Sequence, residues 1–221
     1  MLATGNPHKV RELEDMVRAH QLPIVVQTPR IFGNPPEIPE VQETFAGNAI
    51  DKAQGIATWL REQGIAGATR VLADDSGLCV DAFDGAPGVR SARFAEPPGG
   101  DAANNRKLVS ELEARGLQES PAHYVCALAL VRVDGGAVLG GKDVWTATGT
   151  WHGTAKVKPE GTGGFGYDPY IYVPRAGDDD ASGEQCAVAK LPPQAKRERS
   201  HRGRAMAQLL AELARTQTPA E

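Results

Sequence analysis

Two adjacent carboxylates, Asp74 and Asp75, close the apolar run Arg70-Val71-Leu72-Ala73 and stand just before Ser76-Gly77. Such a run reads as a short buried strand, and Ser76-Gly77 as the point where the backbone turns. Successive strand residues point to opposite faces. Two acids at a strand's last positions therefore cannot both be solvated on a regular ladder. One must face the interior side of the sheet or a cleft, unless the turn swings both outward. A buried carboxylate is costly unless it is paired or holds a metal. Magnesium takes oxygen ligands, usually one or two carboxylates together with the phosphates of a substrate. The other reading is an Asp-Ser-Gly turn with solvated acids, and these residues alone leave both readings open.

The bulk properties narrow the classes. A chain of 221 residues has room for one domain, or one domain with two lobes, and for a sizeable core. A hydrophobic content of 41% suits a globular protein and argues against disorder. No apolar run approaches a membrane span, and no charged-then-apolar leader opens the chain, so a cytoplasmic location without membrane partners is expected. Cys79, Cys126 and Cys186 are far apart and not in CxxC spacing, as reduced thiols would be. The net charge of −4 gives no overall pull toward nucleic acid, so a polyanionic ligand must be held by local positive charge.

Met1-Leu2-Ala3 reads as the tail of a strand, which suggests a truncated start. Thr4-Gly5-Asn6-Pro7 follows as a turn with Asn6 as helix cap and Pro7 as first helical residue. A first helix is expected to about His20, a strand at Ile24 to Gln27, and a proline-rich connector from Pro29 to Pro39. Thr44 caps a second helix with Phe45, Ala49, Ala53, Ile56, Ala57 and Leu60 as its apolar stripe. Asp101 to Arg115 is expected as a third helix. Tyr124 to Val133 and Ala137 to Val144 read as a hairpin around Asp134-Gly135-Gly136, with further strands near Thr146 to Trp151 and Tyr170 to Val173. Residues 175–185 look like an acidic surface insertion, Ser200 caps a last helix, and 215–221 read as a flexible tail. The mixture is α/β with a partly antiparallel sheet.

Two glycine motifs mislead. Gly161, Gly163 and Gly166 satisfy GxGxxG, but Tyr167-Asp168-Pro169 follows where a dinucleotide site needs a helix. Gly136 to Asp143 nearly spells a phosphate loop, yet Asp143 stands where Ser or Thr would hold magnesium.

Four other segments carry chemistry, each with an ordinary alternative. Thr4 to Lys9, TGNPHK, offers backbone N–H groups, a helix start and the ammonium of Lys9, which suit a phosphate. The alternative is a capped helix with an exposed lysine. Gly161 to Asp168, GTGGFGYD, sets glycines around Phe165 and Tyr167, where a flat ring could stack and Asp168 accept hydrogen bonds. It also fits a plain turn with two core aromatics. Lys196 to Arg204, KRERSHRGR, places His201 and Arg202 at a helix start that disfavours cations, so an anion or electron-rich ligand could compensate them. Glu40 lies on the connector, while Asn48 and Lys52 share one face of the second helix. Both of these last segments could equally be solvated faces.

The order of these blocks is more specific than any one of them. TGNPHK, then E-x-x-x-TF-x-x-NA-x-x-KA, ADDSGL-x-VD-x-x-x-GAPGVRSAR, GTGGFGYDP and SHRG closely resemble the inosine triphosphatase family from Leu2 to the last helix. The resemblance implies an elongated, two-lobed single α/β domain over 1–221, with a twisted mixed β-sheet flanked by helices and a nucleotide cleft between lobes. It also implies a homodimer, and hydrolysis of non-standard purine nucleoside triphosphates (ITP, dITP, XTP) to monophosphate and pyrophosphate with Mg2+. Carried over by motif, Thr4, Gly5, Asn6, Pro7, His8 and Lys9 bind the triphosphate. Asp75 is the proton acceptor and a metal ligand, with Glu40 and Asp74 as further metal ligands, and Lys52 and Ser76 touch substrate. Phe165, Gly166, Tyr167, Asp168, Lys196, His201 and Arg202 form the base pocket.

The residues agree with that chemistry, because triphosphate hydrolysis needs charge neutralisation and an activated water. The local departures are the short first strand, the acidic insertion, and Arg197-Glu198-Arg199 before SHRG. One rival is a pyrophosphatase for modified pyrimidines or for all nucleotides. Another is a nucleotide-binding sensor without turnover, against which Asp74 and Asp75 argue, since a mere polyanion binder gains nothing from added negative charge.

Overall fold

The computed structural model describes residues 1–4, 7–65, 67, 69–96, 99–175 and 184–217, leaving aside the side chains of 7, 8, 12, 216 and 217. The expected cap Asn6, its neighbour Gly5 and most of the expected insertion (176–183) lie outside the described residues. Among the described residues five α-helices, α1 (Pro7–Ala19), α2 (Phe45–Glu62), α3 (Asp101–Ala114), α4 (Pro193–Arg199) and α5 (His201–Gln217), accompany five strands. The strands are β1 (Arg70–Val80), β2 (Glu119–Arg132), β3 (Val144–Lys156), β4 (Ile171–Pro174) and β5 (Gln185–Ala187), and they lie in the sheet in chain order. The pairs β3–β4 and β4–β5 are antiparallel, with Thr154 opposite Tyr172 and Val173 opposite Cys186. Among the described residues the parallel part of the expected mixed sheet is the bridge of Leu2 to Leu72.

Two compact units divide the chain: 1–75 with 126–149 and 204–221, and 76–125 with 150–203. In the first unit the alternation of strand side chains decides which helix covers which face. On β2, Cys126, Leu128 and Leu130 join Leu72 of β1 in a cluster with Leu13 and Val17 of α1 and Met206, Leu209 and Leu213 of α5. The intervening Ala127, Ala129 and Val131 join Val71 and Ala73 of β1 in a cluster with Ala49, Ala53, Ile56 and Leu60 of α2. Burial on both faces is why β1 and β2 read as near-continuous apolar runs. Thr44 caps α2 as expected, its hydroxyl accepting from the Gly47 N–H at 3.0 Å. In the second unit α3 covers the sheet through Leu108 and Leu112, packed with Leu78, Val80, Trp151, Ile171 and Val173.

Four expectations are corrected. The backbone does not turn at Ser76-Gly77; β1 runs straight through to Val80, because Leu78 and Val80 have their own core to enter. Residues 24–27 form no strand, although the Leu2 N–H bonds to the Gln27 carbonyl at 2.7 Å. The return limb of the hairpin is β3 rather than 137–144. There Val138 N–H bonds back to the Lys142 carbonyl and Lys142 N–H to that of Leu139, so the chain curls before β3 begins. Of the expected tail, 215–217 belong to α5 and 218–221 lie outside the described residues.

Candidate active site

The strand alternation that builds the first unit's core also sorts the two acids. Asp74 shares the face of Leu72, toward α1, and Asp75 shares the face of Val71 and Ala73, toward α2. Both are buried, at 3% and 7% exposure, which removes the solvated-turn reading. Each finds its partner on the helix covering its side. Lys9 of α1 donates from Nζ to both Asp74 carboxylate oxygens, at 2.9 and 2.7 Å. Asn48 of α2 donates from Nδ2 to Asp75 Oδ2 at 3.0 Å. One turn on, Lys52 Nζ donates to Glu40 Oε1 at 2.8 Å and to the Asp74 carbonyl at 3.2 Å.

Asn48 is the residue whose importance the sequence understated. It is 1% exposed, and its Oδ1 accepts the Gln42 backbone N–H at 2.9 Å, so one amide ties the connector to the acid. Its four-residue spacing from Lys52 was the available signal, but spacing could not say that it faces inward. Burial pushes the Asp75 carboxyl above its ordinary pKa; the Asn48 bond and Lys52 oppose the shift, while Glu40 and Asp74 add to it. An acid raised in this way is a stronger proton acceptor when ionised.

The donor set of Glu40, Asp74 and Asp75 is all carboxylate oxygen, as magnesium prefers. Among the described residues no three His, Cys, Asp or Glu side chains form a group tight enough to hold a metal on their own, and Asp74 is paired with Lys9.

In the second unit the loop before β4 gathers the other predicted residues. Asp168 is buried at its hub: Oδ2 accepts the Phe165 N–H at 2.9 Å and the Lys196 ammonium, and Oδ1 accepts the Tyr124 hydroxyl at 3.4 Å. Its carboxylate thus ties the loop together. Gly164 makes this possible. At φ +76°, a Cβ there would lie 1.9 Å from Asp168 Oδ2. Phe165, in contrast, leaves its ring 53% exposed, with Lys196 Nζ 4.5 Å from the ring centroid.

His201 and Arg202, at the first turn of α5, are buried. The His201 ring stacks on Tyr124 with centroids 4.9 Å apart, and an Arg202 guanidinium N–H donates to Ser76 Oγ at 3.2 Å. Tyr124 was read only as a strand residue. Burial and the neighbouring Asp168 charge hold its phenol protonated far above the ordinary range. Tyr167 turns inward, its hydroxyl donating to the Ser91 carbonyl at 2.8 Å. Ser200 caps α5 as expected, its Oγ accepting from Gly203 N–H at 3.1 Å. Of the predicted phosphate segment, Thr4 lies at the Leu2–Leu72 bridge, its N–H bonded to the Leu2 carbonyl; Gly5 and Asn6 lie outside the described residues, as do the side chains of Pro7 and His8.

The sequence and fold are similar to those of known proteins along nearly the whole chain. A model of the Ham1 family matches residues 1–212. The dITP/XTP pyrophosphatase of Bordetella pertussis is 41% identical over 221 residues, covering 98% of this chain and 91% of that protein. The protein of the same name from Geobacter sulfurreducens is 41% identical over 95% of this chain and 93% of its own length. Among solved structures, a HAM1 protein from Coxiella burnetii superposes with a TM-score of 0.81 at 34% identity, with 97% of each chain covered. The class they define is the α/β fold of the Ham1 proteins. The chain belongs to the Ham1 family.

Proposed function

We propose that this protein is a nucleoside triphosphate pyrophosphatase that cleaves the α–β phosphoanhydride bond of ITP, dITP and XTP, releasing monophosphate and pyrophosphate. The observation that carries this reading is Asp75: a buried carboxylate with a raised pKa, held by Asn48 and flanked by Asp74, Lys9 and Lys52. The relatives named dITP/XTP pyrophosphatase, at about 40% identity, support the same substrate class.

In this reading Lys9 and Lys52 exchange their carboxylate partners for phosphate oxygens and hold the triphosphate in line. Thr4 to Lys9 supply the remaining phosphate contacts, and Ser76 touches the substrate. Asp75 takes the proton of the attacking water, a role worth about 10²–10⁴-fold in rate. Asp75 and Glu40 would hold magnesium, which when bound supplies charge neutralisation on the phosphates and a more acidic water. Phe165 presents its exposed ring to the purine, and Lys196, His201 and Arg202 supply donors for a 6-oxo group. Donors of that kind are left unpaired by the adenine amino group, which is the physical basis for rejecting ATP. Gly166, Tyr167 and Asp168 shape the loop. A cytoplasmic homodimer belongs to the same proposal; no described helix is long and apolar enough to cross a membrane.

Pyrophosphate release with magnesium and either ITP or ATP tests the reading. Turnover of ITP at a much higher kcat/KM than ATP is expected. Equal turnover of both, or of pyrimidine triphosphates, would move the protein to the broader pyrophosphatase class, and binding without release would make it a sensor. Sedimentation analysis tests the dimer.

A further inference from the structure

The exposed ring of Phe165 raises a mechanical question. A side chain 53% exposed is not fixed by packing, so its position depends on the backbone on either side. On the C-terminal side that backbone is Gly166, at φ +61°. Both of its polar groups are taken by one face of α3. Asp101 Oδ2 accepts the Gly166 N–H at 2.7 Å, and Asn105 Nδ2 donates to the Gly166 carbonyl at 2.9 Å. The two side chains are one helical turn apart and so point the same way.

The two bonds act on different peptide planes. The Gly166 N–H belongs to the peptide joining it to Phe165, and the Gly166 carbonyl to the peptide joining it to Tyr167. Fixing both planes fixes the turn at Gly166. The next residue is anchored separately, through the Tyr167 hydroxyl on the Ser91 carbonyl. The preceding residue is anchored by its N–H on Asp168 Oδ2. α3 itself is secured to the sheet by Leu108 and Leu112, both fully buried.

We propose that Asp101 and Asn105 are positioning residues for base selection: they clamp Gly166 so that the Phe165 ring is held ready to stack on a purine. The proposal rests on the reading that this loop receives the base. Neither residue belongs to the phosphate group. Loss of the clamp therefore acts on substrate affinity and base preference, and leaves the hydrolytic step alone.

The test uses the full chain with Asp101→Ala, Asn105→Ala and the conservative Asp101→Asn, which keeps an acceptor oxygen. Losing a hydrogen bond to a charged group is expected to raise KM for ITP roughly tenfold to a hundredfold in Asp101→Ala. The kcat should stay within about twofold, the ITP-over-ATP preference should fall, and Asp101→Asn should recover most of the loss. Amide exchange at Gly166 supplies a readout independent of substrate: it should quicken in Asp101→Ala relative to wild type. Unchanged exchange and unchanged KM would overturn the clamp. A fall in kcat at constant KM would overturn it too, by assigning Asp101 to chemistry or fold. If wild type shows no base preference while exchange quickens as expected, the clamp stands and the base-reading role of the loop fails.

Discussion

Asn48 is the most informative residue to truncate, because two bonds of different kinds end on its one buried amide. Asn48→Ala removes a donor to a carboxylate, worth about 1.5–3 kcal/mol, and an acceptor for a backbone N–H, worth about 0.5–1.5 kcal/mol. The site is 1% exposed, so water does not readily replace either. The sum, about 2–4.5 kcal/mol, corresponds to a fall in Tm of roughly 4–18 °C for a chain of this size. Turnover should fall about a hundredfold, the scale for a reacting group displaced by about an ångström. The pH profile carries the sharper signature. The Asn48 bond pulls the Asp75 pKa down against the upward push of burial, so its removal lets that pKa rise. The acid limb of kcat/KM, where Asp75 must lose its proton to act, should move to higher pH in the variant. Differential scanning calorimetry and steady-state kinetics between pH 5 and 9 read all three effects. A destabilised variant with an unmoved acid limb and wild-type turnover would refute the argument and leave Asn48 a purely structural residue.

Asp75→Asn should lower turnover by at least 10²-fold, while the amide oxygen still accepts from Asn48 and keeps the fold. With its pKa raised in the fold, Asp75 binds its proton more tightly folded than unfolded, so ionising it costs stability as pH rises through the folded value. The metal-free Asn variant should therefore melt above wild type at pH 7–8, with the gain shrinking toward the ordinary carboxylate pKa of 3.8; a lower Tm at pH 8 would contradict this. Lys9→Ala should weaken triphosphate binding more than monophosphate binding in calorimetry and leave Asp74 without its Nζ partner; equal losses for both ligands would place Lys9 outside the phosphate site. Gly164→Ala should raise KM for ITP, because its Cβ would lie 1.9 Å from Asp168 Oδ2 and push that carboxylate off Phe165 N–H; a wild-type KM would show that the loop's shape is irrelevant to the base.

Much of this architecture is written locally. The Thr44 cap, the alanine stripe of α2 and the Ser200 cap are short-range signals, and each element forms where they put it. The acid pair was legible as a place where a carboxylate could be buried, because alternation forbids two solvated acids on a continuous ladder, though a turn at Ser76-Gly77 would have released both. What alternation could not supply was the identity of each partner, because Lys9 and Asn48 reach β1 from helices 65 and 27 residues away in the chain. The continuity of β1 past Ser76-Gly77 was hidden for a related reason. A Ser-Gly pair is a turn signal only where no second core waits, and Leu78 and Val80 enter one formed with α3 and β4. Tyr124, Asp101 and Asn105 escaped notice because their partners, Asp168 and Gly166, lie across the chain in a loop whose glycines drew attention to themselves.

The interleaving of the two units has a consequence for how the protein comes into being. The division falls between 75 and 76, 125 and 126, 149 and 150, and 203 and 204, inside β1, β2, β3 and α5. No contiguous fragment consists of either unit alone, since 76–203 carries 126–149 of the first unit within it, so neither can be isolated by simple truncation. During synthesis the first unit must wait for α5, far along the chain from β1, before Met206, Leu209 and Leu213 close its core. Contacts of such long sequence separation slow folding. Asp75 therefore sits in a half-built core for most of the chain's synthesis, and the acid acquires its working environment only when the C-terminal helix docks.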